Sequence, residues 1–184
     1  MIPGALARRY ARALFDLGTS PMQRDKFNKD MAAIAEFVRH KDEAGTPVLS
    51  VLAAERFPVS ERKRLMSTIA SRVGADALVL KFLGHVLERG RAVGIPDIAR
   101  AYQRLADEAM GRVQAHVTSA APLPPEGLAR IKNALAKATG KTIVATQSVD
   151  PELIGGIVVK VGSYVIDGSV RNTLAQLKSS LRSH

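Results

Sequence analysis

The chain has 184 residues, with 27 lysines and arginines against 17 acidic residues, so its formal net charge is +10. An apolar fraction of 46% is enough to build hydrophobic cores, and the absence of cysteine excludes disulfides and thiolate chemistry. No apolar run reaches the ~18 residues that a membrane span needs, and the N-terminus lacks the pattern of a signal peptide. We therefore expect a cytoplasmic, soluble chain.

The front of the chain shows the apolar periodicity of helices, with apolar residues recurring every three or four positions. The predicted helices cover residues 6–17, 27–38, 48–54, 60–73, 78–87 and 96–109. Glycine or proline separates most of them, and Ser60 is the predicted N-cap of the fourth. Short connections between six helices predict a compact bundle.

At Gly111 the period of the apolar residues changes to two. Val113, Ala115 and Val117 alternate with polar residues, which predicts a half-buried strand. The elements that follow are a helix at 128–138, strands at 142–149, 157–161 and 164–166, and a last helix that Ser169 caps and that carries Val170, Leu174, Leu177 and Leu181.

The change of period predicts two domains. The fold class is α+β, with an N-terminal six-helix bundle at residues 1–107 and a small α/β C-terminal domain at residues 108–184. The order of elements in the second domain is β-α-β-β-β-α.

The pattern of polar residues is not typical of an enzyme. The four histidines lie far from one another in sequence and from carboxylate clusters. Gly155-Gly156 belongs to no phosphate-binding motif and indicates a bulge or a close approach of another backbone. Asp167-Gly168-Ser169 predicts a tight turn into the last helix. We expect no catalytic residue, no cofactor and no metal.

The positive charge leaves a nucleic-acid-binding module as an alternative function. Basic residues cluster at positions 8–12 and 62–64, but neither cluster shows the series of interleaved stacking aromatic side chains that is typical of a nucleic-acid-binding site. We interpret the cluster at 62–64 as a solvated surface.

The first and fifth predicted helices carry surplus apolar surface. Ala7, Ala11 and Phe15 widen the apolar face of the first helix, and the fifth is apolar over more than half of its circumference. Two explanations stay open: the surplus is internal core, which composition alone favours, or a groove between the two helices receives a partner helix.

Several segments are similar to one known family. They are residues 7–15 (ARRYARALF), 82–91 (FLGHVLERGR), 149–162 (VDPELIGGIVVKVG) and 165–171 (VIDGSVR). In that order and at these positions they resemble the bacterial ATP synthase delta subunit family, which is related to the mitochondrial oligomycin-sensitivity-conferring protein.

The resemblance implies a stator subunit of F-type ATP synthase that performs no chemistry itself. Its N-terminal bundle would bind the N-terminal helices of the alpha subunits, and its C-terminal unit would bind the C-terminal end of the b subunit. One copy would sit on the cytoplasmic face of the cell inner membrane without inserting into it. The head would then be held still while proton-driven rotation produces ATP.

The resemblance also implies two sets of site residues. The helix-binding groove of the family lies between the first and fifth helices, and the corresponding candidates here are Tyr10, Ala11, Leu14, Phe82, Leu83 and Val86. The candidates in the stalk-binding motif are Asp150, Gly155, Gly156, Lys160, Asp167 and Gly168. Which groove candidates face outward is left open by the sequence.

Overall fold

The computed structural model describes residues 3–41, 45–162 and 164–174. The fold is α+β, with helices first and a four-stranded sheet after them. The chain divides into two compact units between Ala106 and Asp107. Among the described residues, no helix is both long and apolar enough to span a bilayer. The predicted last helix beyond residue 174, with Leu177 and Leu181, lies outside the described residues.

In the described residues before the sheet, six α-helices follow one another with short connections. They are α1 (Gly4–Leu17), α2 (Pro21–Phe37), α3 (Val48–Ala53), α4 (Val59–Arg72), α5 (Ala77–Glu88) and α6 (Ile95–Ala109). A 3₁₀ turn at Ala92–Gly94 joins α5 to α6. One large hydrophobic cluster gathers these helices, and Leu14, Phe27 and Leu83 are fully buried in it. Each such side chain contributes roughly 1.5–3 kcal/mol on burial.

The start of α4 differs from the prediction that Ser60 caps it. The helix begins at Val59, and Pro58, two residues before Ser60, occupies the capping position without a side-chain hydrogen bond. The Pro58 carbonyl accepts hydrogen bonds from the backbone N–H of Glu61 and of Arg62. Because proline holds its own φ near the value that starts a helix, the first turn closes on Pro58 and Ser60 lies inside it.

The cluster at 62–64 is also not the uniformly solvated surface that we expected. Arg62 is buried, its Nε donates to the Phe57 carbonyl at 3.2 Å, and its Nη1 donates to the Leu52 carbonyl at 3.3 Å. The guanidinium thus ties the end of α3 and the following loop to α4. A buried arginine is tolerated here because backbone carbonyls accept its hydrogen bonds.

A buried carboxylate on α2 fixes the start of α5. Asp30 is only 5% exposed, and its Oδ2 accepts a hydrogen bond from the backbone N–H of Asp76 at 2.8 Å. Lys26 pairs with Asp30 at 3.2 Å and also donates to the Gly74 carbonyl. Asp76 in turn caps α5 by accepting from the Leu78 N–H at 2.8 Å. The carboxylate therefore connects α2 directly to the N-terminus of α5.

The second unit is a mixed sheet with one covering helix among the described elements. Its elements are β1 (Arg112–Ser119), α7 (Pro125–Thr139), β2 (Thr142–Val149), a 3₁₀ turn (Pro151–Leu153), β3 (Gly156–Val161) and β4 (Tyr164–Ser169). The strand order is β2-β1-β3-β4, with β1 and β2 parallel and the other pairs antiparallel. The parallel pair needs a crossover, which α7 provides. Its small core includes Val117, Leu135 and Val159.

The fourth strand is longer than predicted, and the prediction of a tight turn at Asp167-Gly168-Ser169 is wrong. Gly168 pairs with Ile157 and Ser169 pairs with Gly156, so β4 continues to Ser169. Hydrogen bonding to β3 along the whole strand replaces the local turn. Ser169 does cap the helical residues that follow, as predicted, since its Oγ accepts from the Asn172 N–H at 3.1 Å.

Removing the Asp30 carboxylate should destabilise the helical unit. Asp30→Ala leaves the Asp76 N–H and the Lys26 ammonium without their buried acceptor, so we expect the free energy of unfolding to fall by about 2–3 kcal/mol. Urea denaturation followed by circular dichroism measures it. The control is Asp16→Ala, which removes an exposed partner of Arg12 and should cost less than about 0.5 kcal/mol. Equal losses in the two variants would contradict the anchoring role of Asp30.

Candidate docking sites

A pocket of about 290 Å³ opens between α1 and α5. Its lining residues come from both helices and from the turn after α5, and they are Arg9, Tyr10, Ala13, Phe82, His85, Arg89 and Arg91. We call its apolar lining residues, Tyr10, Ala13 and Phe82, the floor of the pocket, and its other lining residues are basic. The pocket therefore combines an apolar surface with a concentration of positive charge.

The floor of the pocket is held by an aromatic pair. The rings of Tyr10 and Phe82 meet edge to face, with centroids 6.2 Å apart and planes at 69°. The Arg91 guanidinium lies 5.6 Å from the Tyr10 ring centroid, and its Nη1 donates to the Tyr10 hydroxyl at 3.2 Å. These contacts bind α1 to the end of α5 and fix the orientation of the tyrosine.

Among the six groove candidates, Tyr10 and Phe82 line this pocket. The other four are fully buried in the core of the helical unit, and they are Ala11, Leu14, Leu83 and Val86. The additional apolar residues of the first helix, Ala7 and Phe15, are buried as well. Most of the surplus apolar surface of α1 and α5 therefore packs inside the unit.

Five of the residues that line the pocket are absent from the groove candidates that the family resemblance implied. Ala13 lies one helical turn after Tyr10 and beside Arg9, while His85 and Arg89 follow Phe82 at helical spacing. Residues three or four apart on a helix share a face. Helical spacing counted from Tyr10 and Phe82 therefore supplied a signal for most of the missing residues.

A second pocket, of about 500 Å³, lies on the other side of α5, against α4. Its lining residues are Lys63, Met66, Ser67, Leu80, Lys81, Gly84, His85 and Glu88. A salt bridge between Lys63 and Glu88 crosses it, and the hydrogen bond from Lys63 holds the pKa of the Glu88 carboxyl below its usual value. His85 borders both pockets.

The candidate residues of the stalk-binding motif lie in or next to the paired strands β3 and β4. Gly156 has φ +80°, and a Cβ there would lie 2.2 Å from the Gly168 carbonyl oxygen. The close approach of another backbone predicted for the glycine doublet is thereby confirmed. The Gly155 carbonyl accepts a backbone hydrogen bond from Val170, just after β4. A glycine is needed at position 156 because the two strands approach too closely there for a side chain.

The charged motif residues are spread over the turn before β3 and the two strands. Asp150 opens the 3₁₀ turn by accepting from the Glu152 N–H at 3.0 Å. Asp167 accepts from the Ser169 N–H at 2.9 Å, and this hydrogen bond lowers the pKa of its carboxyl. Lys160 is exposed near the hairpin end of β3, away from the glycine end. No three histidine or carboxylate side chains of the described residues are gathered as metal ligands would be.

Apolar side chains remain exposed on the edge strand β4. Tyr164 is 78% exposed and Ile166 is 56% exposed. In the sheet register Tyr164 lies opposite Val161 and Ile166 lies opposite Val159, both of which belong to the core. Directly opposite residues share a face of a sheet. The apolar face of the sheet therefore continues onto β4, where solvent reaches it.

Comparison with known proteins agrees along nearly the whole chain. The family model described as ATP synthase delta (OSCP) subunit matches residues 6–181. ATP synthase subunit delta of Geobacter metallireducens is 35% identical over 182 residues, covering 99% of both chains, and that of Desulfotalea psychrophila is 36% identical over 177 residues, covering 96% of both. A chain in the Toxoplasma gondii mitochondrial ATP synthase hexamer has the same fold, with a TM-score of 0.70 at 20% identity, covering 96% of this chain and 97% of that one.

These matches define the protein as a subunit of an ATP synthase, and none of them supports the nucleic-acid-binding alternative. The chain belongs to the ATP synthase delta (OSCP) subunit family. It is a peripheral-stalk component of F-type ATP synthase, and the family predicted from the sequence is confirmed.

Substitution of Gly156 should destabilise the second unit more than substitution of another glycine with positive φ. Gly156→Ala combines left-handed backbone strain with a clash against the Gly168 carbonyl, so we expect a loss of about 3 kcal/mol or more. In the control Gly162→Ala, φ is +59° but nothing lies within 4 Å, and a loss of about 1 kcal/mol is expected. Scanning calorimetry of the full chain distinguishes them. Equal transitions would show that close strand approach is unimportant.

Proposed function

We propose that this protein is a non-catalytic link between the catalytic head and the stalk of the ATP synthase. Its six helices act as one N-terminal bundle, residues 1–107, that binds the N-terminal helices of the alpha subunits. Residues 108–184 form a domain that binds the C-terminal end of the b subunit. The link resists the torque of the rotor, so that proton-driven rotation is coupled to ATP synthesis. One copy serves each complex, at the cytoplasmic face of the cell inner membrane and without membrane insertion.

The observation that carries this proposal is the pocket between α1 and α5. Its floor is made by Tyr10, Ala13 and Phe82, and a helix borders it on each side. An amphipathic helix laid into an apolar groove is a common mode of peptide recognition. The exposed Ala13 has a small side chain, which lets the backbone of a docked helix come close to α1.

Apolar burial of this kind suits a subunit that must stay bound to its partner under load. A docked helix that removes about 400 Å² of apolar surface from water gains about 10 kcal/mol at about 25 cal/mol per Å², before ordering costs are subtracted. Slow dissociation follows from such burial, and a stator requires long residence under load.

The exposed apolar residues of β4 support the second half of the proposal. Tyr164 and Ile166 extend the core face of the sheet to its edge, and among the described strands β4 pairs on one side only. Exposed apolar patches and open strand edges commonly mark surfaces that bind other chains. The end of the b subunit is the partner that we assign to this edge.

Filling the α1/α5 pocket should block the alpha subunit. In Ala13→Trp the indole occupies much of the 290 Å³, so a peptide copying the N-terminal helix of the alpha subunit should bind at least about tenfold more weakly. Titration calorimetry with the full chain measures the affinity. The control is Ala33→Trp, also an exposed alanine but on α2 outside the pocket, which should bind as the unsubstituted chain does. No binding by the unsubstituted, folded chain would refute this docking site.

A variant of β4 should show that the two proposed surfaces bind their partners independently. Tyr164→Ser combined with Ile166→Ser removes exposed apolar area from β4, so we expect the C-terminal segment of the b subunit to bind at least about tenfold more weakly. Binding of the alpha-subunit peptide to this variant should not change. Pull-down and titration with both partners test it, and Ala13→Trp should give the opposite pattern. Loss of both partners in one variant would contradict separate surfaces.

A further inference from the structure

Three arginines around the α1/α5 pocket have no acidic partner within the described residues. By contrast, Arg12 on α1 is paired with Asp16 at 3.3 Å, and Lys63 on α4 is paired with Glu88 on α5. No carboxylate of the described chain lies within salt-bridge distance of Arg9, Arg89 or Arg91, although all three line the pocket. These three arginines therefore bring positive charge to the pocket that no carboxylate of the described residues pairs with.

The arginines stand on both sides of the apolar floor. Arg9 comes from α1, whereas Arg89 and Arg91 come from the end of α5 and the turn after it. Arg91 is held in place by its hydrogen bond to the Tyr10 hydroxyl. Arg9 and Arg89 are exposed. A helix lying on Tyr10 and Phe82 would thus have a guanidinium along each flank.

This arrangement sets a condition on whatever covers the pocket. A docked helix removes water from the arginines, and that desolvation is unfavourable unless the helix supplies hydrogen-bond acceptors of opposite charge. Carboxylates meet the condition best, because they form charge-assisted and often bidentate hydrogen bonds with guanidinium groups. A helix with basic side chains on its flanks would be repelled.

The chemistry of the floor favours a helix over a nucleic acid as the source of the negative charge. Single-stranded nucleic acids need exposed aromatic faces on which bases stack. Phe82 is only 8% exposed and meets Tyr10 edge to face, and the Tyr10 ring is already covered by the Arg91 guanidinium. Phosphates alone would leave the apolar floor unused.

We propose that the α1/α5 pocket selects an amphipathic helix whose apolar stripe is flanked by carboxylate side chains, and that Arg9 and Arg89 are the residues that read this charge. The inference rests on the proposed docking function and adds the chemical class of its ligand. The apolar floor supplies most of the residence time, and the arginines supply selectivity and faster association.

The test measures the binding of two peptides to the unsubstituted chain and to two double variants. The protein changes are Arg9→Gln with Arg89→Gln, and the matched control is Arg8→Gln with Arg104→Gln, two exposed arginines outside the pocket. Both double variants lower the net charge by the same amount. The peptides are the N-terminal helix of the alpha subunit and a copy in which its acidic residues are replaced by the corresponding amides. Circular dichroism verifies that each full-length variant is folded.

We expect the Arg9→Gln, Arg89→Gln variant to bind the acidic peptide about tenfold more weakly at low salt, mainly through slower association. The control variant should bind it as the unsubstituted chain does. Against the amide peptide all three proteins should bind alike, because the partner of the arginines is gone. High salt should reduce the difference between the two peptides.

Two results overturn the charge assignment and leave the docking site intact. One is equal binding of both peptides by the unsubstituted chain, and the other is an equal loss for both peptides on changing Arg9 and Arg89. An alpha-subunit N-terminal segment without a carboxylate beside its apolar stripe would overturn it as well. Failure of the unsubstituted chain to bind either peptide refutes instead the proposed docking function.

Discussion

The packing of α5 against the rest of the helical unit is the constraint on which the N-terminal site depends. Val79, Leu83 and Val86 are fully buried, so one face of the helix is committed to the core. The Asp30 carboxylate fixes where the helix begins, through the Asp76 backbone. With its start and its buried face determined, α5 must present Phe82, His85 and Arg89 toward α1, and the pocket follows from that orientation.

The second unit depends on a comparable constraint, the close pairing of β3 with β4. Gly156 and the Gly168 carbonyl approach more closely than any side chain permits, and this approach brings β4 into register along its whole length. That register places Tyr164 and Ile166 opposite core residues of β3. The exposed apolar edge is thus a consequence of strand pairing. Gly156 contributes to it by allowing the backbone of β4 to approach β3 closely.

In the proposed function, the two units divide the binding of the partner subunits between them. One offers a groove between helices with an apolar floor and cationic flanks, and the other offers an apolar sheet edge. Both surfaces are built by rigid secondary structure, whose shape is fixed by packing and by backbone hydrogen bonds. A connecting part that must transmit force without yielding benefits from contacts placed on such elements, because loops absorb displacement more readily.

The sequence by itself determined the type and order of the described helices and strands, the fold class and the family, because apolar periodicity and the motif at 149–162 are properties of neighbouring residues. It did not determine the burial of Arg62 or the partial exposure of Tyr10 beside the fully buried Ala11 and Leu14. Such outcomes depend on which helix faces which, and an apolar stripe is equally suited to a core or to a partner. Only tertiary packing decided between these roles, because it brings residues as distant in sequence as Tyr10 and Arg91 into contact. The same packing leaves Arg9 and Arg89 at the pocket without a carboxylate partner among the described residues.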